Sequence, residues 1–228
     1  MQGLDELVLH RVSTAQQVAD GLSEMILNGN LGPGAPLRES AIAASLGISR
    51  NTVREAVRIL EQGGLVRRPE MHRGASVVDP SDEELADLYK ARLKLEVMAA
   101  GEDNTPESVA GVRAAFDAMV EAAELRQPKL IVERDLALHA AIVRRLGSRR
   151  IDAFYEQLAL QLRFFLMVLS LKDLEYEAPE QVILEHEQIV TAIERGDKAG
   201  SQTLIAELIN ANELRVRAIF RERMSTKV

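Results

Sequence analysis

The 228-residue sequence contains no cysteine. That absence removes a disulfide framework, a thiolate zinc finger, an iron–sulfur cluster and a cysteine nucleophile. Aromatic residues are scarce at 4%, but 46% of the chain is apolar and 28% charged. Those proportions support a packed core and exclude collagen-like or disordered chains. A charged-then-apolar start is also missing. Met1–Leu9 carries Asp5 and Glu6, so no signal peptide is expected. The longest apolar-rich stretch, Phe164–Leu171, is too short to span a bilayer, so a cytoplasmic protein with no membrane partner is expected. Internal repeats and low-complexity segments are absent. At about 150 residues per domain, the length suits one large domain or two ordinary ones.

The net charge of −7 argues at first against a nucleic-acid partner, yet the charge is unevenly spread. From Arg38 to Val78 there are seven arginines against four acidic residues, whereas residues 81–228 hold 20 basic and 26 acidic residues. A small basic face on an acidic body is compatible with DNA binding, because the local potential steers the encounter.

Proline and glycine divide the chain. Ala15, Val18, Ala19, Leu22 and Ile26 recur at helical spacing and stop at the glycine-rich run 29–34. A short helix over 39–46 ends at Gly47. The next begins at Ser49 as N-cap, places Val53, Ala56, Val57 and Leu60 on one face, and ends at Gly63-Gly64. Leu65–Arg68 and Ala75–Val78, separated by a turn-like stretch from Pro69 to Gly74, predict a hairpin. After a linker at 79–81 the character changes. Ser81 to Glu84 form a capping box, and the pattern predicts helices near 82–101, 106–126, 129–146, 149–171, 179–195 and 198–222. The fourth of these carries Ile151, Phe154, Leu158, Leu162, Phe165 and Leu169 at core spacing. The expected fold is mainly α: a winged helix-turn-helix over 1–78, then an all-α antiparallel bundle over 82–222.

A winged helix-turn-helix places its second helix in the major groove, where the first turns reach base edges. On the helix from Ser49 the apolar face leaves Arg50, Arg54 and Arg58 as an outward stripe, with Asn51 and Thr52 in the leading turn. Arginine offers a bidentate fork to guanine or phosphate, and asparagine can pair with adenine. Arg67, Arg68, His72 and Arg73 lie on the wing, where phosphate or minor-groove contacts are natural. The alternative for the stripe is a solvated helix face, with Arg54 and Arg58 paired to Glu55 or Glu61.

The run from Pro36 to Val66 (PLRESAIAASLGISRNTVREAVRILEQGGLV), followed by Arg73-Gly-Ala-Ser-Val77, resembles the GntR family of bacterial transcription regulators. The resemblance covers the first 78 residues and implies DNA contacts at Arg38, Ser49, Arg50, Asn51, Thr52, Arg54 and the wing around Gly74. Asn51-Thr52 departs from the Thr-Pro that the family often carries.

In the predicted bundle, Asp135 and His139 share a stripe with Ile131, Leu138, Ile142 and Leu146. His186 lies on the stripe of Val182, Ile183, Ile189, Val190 and Ile193. One carboxylate and two imidazoles therefore point inward, where unpaired polar groups are costly. Two readings stand: a divalent metal site, or a hydrogen-bonded polar network. The order Asp135-x-x-x-His139, then Glu185-His186 and Ala192–Asp197, resembles the FCD effector domain of the FadR subfamily, in its six-helix variant. That resemblance implies a metal held by one Asp and three His, beside a small carboxylate effector. Here Leu208 stands where the third His is expected, and Asn212, one turn on, is a poor substitute. A zinc-like or nickel-like ion completed by water or effector is one outcome; an unmetallated network is the other. Arg92 can receive an effector carboxylate, or pair with Glu96, or face solvent.

The leading expectation is a homodimeric, ligand-responsive transcription regulator, not an enzyme. A metal-dependent hydrolase built on Asp135, His139 and His186 is the alternative, although its stripes supply no second carboxylate as general base. A DNA-binding dimer without effector control is a third reading.

Overall fold

Caps, prolines and glycines set the element boundaries in the computed structural model, which describes residues 12–68, 74–173 and 179–225. The chain divides into two units, Met1–Val78 and Asp79–Val228.

In the first unit, Ser13 caps α1 (Thr14–Leu27) by accepting the Gln16 N–H at 3.1 Å. Strand β1 (Pro36–Leu37) leads into α2 (Glu39–Leu46). That helix ends at Gly47, whose φ of 64° is left-handed and strained for any residue with a side chain. Helix α3 (Arg50–Gln62) starts from Ser49, which accepts the Thr52 N–H. Val53, Ala56, Val57 and Leu60 are buried, as the spacing predicts, and α3 packs on both α1 and α2. Strands β2 (Val66–Arg67) and β3 (Ala75–Val77) form the expected hairpin pair. The sheet has a third member that the sequence did not announce. Its order is β1-β3-β2, all antiparallel, with Leu37 opposite Ala75 and Val66 opposite Val77. Two residues are too few to show alternation, so β1 left no pattern to read.

The second unit is a helical bundle: α4 (Asp82–Ala100), α5 (Pro106–Glu124), α6 (Pro128–Val143), α7 (Arg149–Asp173), α8 (Glu180–Glu194) and α9 (Lys198–Ser225). A 3-10 turn, Arg144–Leu146, closes α6 and stops at Gly147. Helix α4 packs on α9, α5 on α6 and α8, α6 on α7, and α8 on α9. The capping box at Ser81 and Glu84 is present in both directions. One expected core residue is wrong. Phe154 is 52% exposed, whereas its neighbour Tyr155 is buried with Leu158, Leu162 and Phe165. Apolarity favoured the Phe, but Tyr155 finds a buried acceptor for its hydroxyl in Glu96, at 2.6 Å.

Candidate functional site

The first unit carries a groove lined by Arg38, Glu39, Arg50, Arg54, Arg68 and Gly74. Arg50, Asn51, Arg54 and Arg58 are all exposed along α3, so the outward stripe exists. Its members are not equivalent. Arg58 is held by Glu55 at 2.7 Å, a partner that raises its pKa and lowers that of Glu55. Arg54 instead reaches Glu39 at 3.6 Å, a partner supplied by α2 that the sequence reading did not consider. Glu39 also binds Arg68 at 3.0 Å, so one carboxylate joins the recognition helix to the chain after β2. Ser49 and Thr52 hydrogen-bond each other at 2.8 Å while Ser49 caps the helix. Arg38, Arg67 and Gly74 are exposed. His72 and Arg73 lie outside the described residues.

The second unit builds a buried centre from three helices. Asp135 and His139 come from α6, His186 from α8, and Glu96 from α4; all are at most 3% exposed. His186 Nδ1 lies 2.7 Å from the Val182 carbonyl, which can only accept, so the ring carries a proton there and turns Nε2 inward. That Nε2 is 2.8 Å from Asp135 Oδ1 and 3.2 Å from His139 Nε2, and the third edge, His139 Nε2 to Asp135 Oδ1, is 3.9 Å. On its far side His139 Nδ1 lies 2.6 Å from Glu96 Oε2. Glu96 Oε1 in turn accepts from Arg92 Nε at 2.8 Å and from Tyr155.

Burial alone would raise the Glu96 carboxyl. Arg92, His139 and the Tyr155 hydroxyl outweigh that and hold it at about 2. The same contest holds Asp135 at about 2, with His186 as the chief opposing charge. For His186, burial favours the neutral ring, but Asp135 beside it and the Val182 carbonyl prevail and its pKa is raised. Tyr155 is pushed well above its ordinary range by burial and by Glu96.

Next to the centre lies a cavity of about 20 Å³, walled by Arg92, Asp135, His186, Leu208 and Asn212 among others. Arg92 is ion-paired to Glu96, one of the alternatives weighed from the sequence, and it also lines the cavity. It does not face solvent. Asn212 is buried, and Tyr89 donates to its Oδ1. The other end of its amide, the NH₂, is a donor and not a metal ligand. Leu208 offers no polar atom. Among the described residues, Asp135, His139 and His186 are the one group arranged to hold a metal, their ligand atoms lying within 4.8 Å of one another. Sequence reasoning found all three and named Glu96 only as a partner for Arg92; it missed the contact of Glu96 with His139, and missed Tyr155 and Tyr89. No sequence signal distinguishes a Glu four residues after an Arg on a surface helix from this buried one.

A winged helix-turn-helix with a basic groove, joined in one chain to a helical unit with a buried polar centre, defines a DNA-binding regulator with a sensing module. The profile of bacterial regulatory proteins of the gntR family matches residues 14–77, and that of the FCD domain matches residues 87–211. The chain belongs to the GntR family of transcriptional regulators and carries an FCD domain. It is 31% identical, over 83% of its length and 82% of the relative's, to a protein of Paenarthrobacter nicotinovorans named for repression of a D-xylose utilization operon. It is 28% identical to the gluconate operon transcriptional repressor of Bacillus licheniformis, over 83% of this chain and 79% of that one. A crystal structure of a GntR regulator from Rhodococcus sp. RHA1 is similar with a TM-score of 0.74 and 27% identity, covering 90% of this chain and 98% of that one. The family is regulatory, so the hydrolase alternative is set aside. No helix among the described residues is long and apolar enough to cross a membrane.

Proposed function

We propose that the chain is a homodimeric repressor, acting in the cytoplasm, whose grip on a palindromic DNA operator is controlled by a small carboxylate bound in the FCD bundle. On this reading Arg38, Ser49, Arg50, Asn51, Thr52 and Arg54 meet the DNA, with Arg58, Arg67, His72, Arg73 and Gly74 at its margins. One winged unit covers only a short half-site, so a second copy supplies the other half. The relatives support a sugar-derived or sugar-acid effector, one of them being named for gluconate, itself a carboxylate.

The observation that carries the sensing role is the convergence of Asp135 Oδ1, His139 Nε2 and His186 Nε2 beside the donors Arg92 and Asn212. The three acceptors form a triangle of 2.8, 3.2 and 3.9 Å. These edges bracket the ~3.4 Å that separates ligands about 2.1 Å from one tetrahedral ion. Packing three lone pairs so closely requires a cation or an extra proton among them. The residues therefore fit a zinc-like or nickel-like ion with an open position, where Leu208 gives nothing and an effector carboxylate completes the set. A bound ion would supply a positive anchor for the carboxylate. Arg92 and Asn212 would orient the acid by hydrogen bonds.

Leu208 favours a second reading, in which DNA binding has escaped effector control. Fluorescence anisotropy of an operator duplex, titrated with small sugar acids with and without zinc, separates the two. Release of DNA by an acid supports sensing; DNA binding indifferent to every acid and to zinc supports the second reading. Sedimentation at equilibrium tests the dimer.

A further inference from the structure

The metal-centre reading leaves the fully buried carboxylate of Glu96 without a role, since it belongs to neither the ligand triangle nor the cavity wall. Its two oxygens face different partners. Oε1 takes hydrogen bonds from Arg92 Nε at 2.8 Å and from the Tyr155 hydroxyl at 2.6 Å. Oε2 lies 2.6 Å from His139 Nδ1 in a close ion-pair contact without hydrogen-bond alignment, and neither atom has a hydrogen-bond partner, so each is the nearest answer to the other's unmet need. An ionised carboxylate can only accept, so His139 must keep its proton on Nδ1 and turn the Nε2 lone pair toward Asp135 and His186.

We propose that Glu96 is a positioning residue of the Asp135–His139–His186 centre, selecting the His139 tautomer that can bind a cation, with Arg92 and Tyr155 fixing which carboxylate oxygen faces the ring. The inference rests on the metal-centre reading above. In Glu96→Gln the two donors Arg92 and Tyr155 keep the amide oxygen at the Oε1 position. The NH₂ group then stands where Oε2 was, facing His139 Nδ1 as a donor. His139 must answer with a lone pair at Nδ1, so its proton moves to Nε2, the atom that points at the centre. A neutral substitution of nearly equal size thus blocks a ligand in the next shell inward.

The test uses the full-length chain, with zinc as the probe. Histidine ¹⁵N spectra of the zinc-free protein report the His139 tautomer, and calorimetry reports zinc affinity. Wild type is expected to show the Nδ1–H form, and Glu96→Gln the Nε2–H form with zinc affinity lowered about 10- to 100-fold. Tyr155→Phe keeps the carboxylate, so it retains the wild-type tautomer and loses roughly three- to tenfold in affinity as Glu96 loosens. Should Glu96→Gln fail to fold, Glu96→Asp keeps the charge for Arg92 but withdraws the acceptor from His139. A mixture of tautomers is then expected. An unchanged tautomer with unchanged zinc affinity in a folded Glu96 variant overturns the proposal. A wild type that binds no zinc overturns the metal-centre reading instead, and the tautomer comparison still decides the role of Glu96.

Discussion

At the scale of single residues, polar side chains in this protein are assigned by partners that lie far away in the chain. Arg92 and Glu96 are four apart, and from sequence alone they are an ordinary surface pair. Tyr155, 59 residues beyond Glu96, turns that pair into a buried network. Asp135, His139 and His186 were legible because a charged residue on an apolar helical stripe stands out. Glu96 was not, because α4 carries charges on several faces. The same limit hid the Glu39–Arg54 contact. Substitutions follow from these positions. Arg50→Ala is expected to weaken operator binding by about 1–3 kcal/mol if the side chain reads a base, measured by anisotropy against a scrambled duplex. Arg58→Ala should cost less, since Glu55 already holds that guanidinium on the free protein. Equal losses for the two would contradict the assigned face. At the centre, His139→Ala is expected to abolish zinc binding and Leu208→His to tighten it, both read by calorimetry.

At the scale of elements, periodicity and punctuation were enough to place nearly every helix. All six bundle helices end within a few residues of their expected limits, because Pro106, Pro128, Gly147 and the Ser81 box mark them locally. Strand β1 and the register of Phe154 were missed for the opposite reason, since both are decided by what lies across the fold. Elements also offer a pH test. Asp82, in the first turn of α4, is bound by Arg217 at 2.8 Å and by Arg221 at 2.9 Å, both from α9. These arginines hold its carboxyl far below the usual aspartate range. A carboxyl depressed in the folded state stabilises above its ordinary value, about 3.9, and that contribution is lost as pH falls through the lower folded value. Asp82→Asn is therefore expected to lower the thermal midpoint at pH 7, with the gap to wild type closing below about pH 4. The gap should also narrow in 1 M salt, because all three groups meet solvent. A gap that does not shrink at all between pH 7 and pH 2, nor in high salt, would show that something other than charge joins the two helices there. In the first unit, Ser49→Ala removes the α3 cap and is expected to cost about 1 kcal/mol of stability.

At the scale of the whole chain, the sequence announced two units because charge, turn composition and helical period all change near residue 79. It could not announce the state of the buried Glu96–Asp135–His139–His186 centre, which depends on three helices meeting. If the second unit supplies dimerisation, deleting residues 79–228 leaves a head that binds single half-sites weakly and ignores any effector. A truncated head as tight as the intact chain on the full operator would refute the dimeric arrangement.

The small cavity beside Asp135 and His186 has a consequence in time. About 20 Å³ is room for one water molecule, and no carboxylic acid fits in it. On the proposed reading, an acid effector reaches the centre only during moments when the surrounding helices part, so its capture waits on the protein. In stopped-flow experiments the observed rate should rise with acid concentration and then level off at the opening rate. Acids of quite different affinity would share that plateau, and they would differ chiefly in how long they stay.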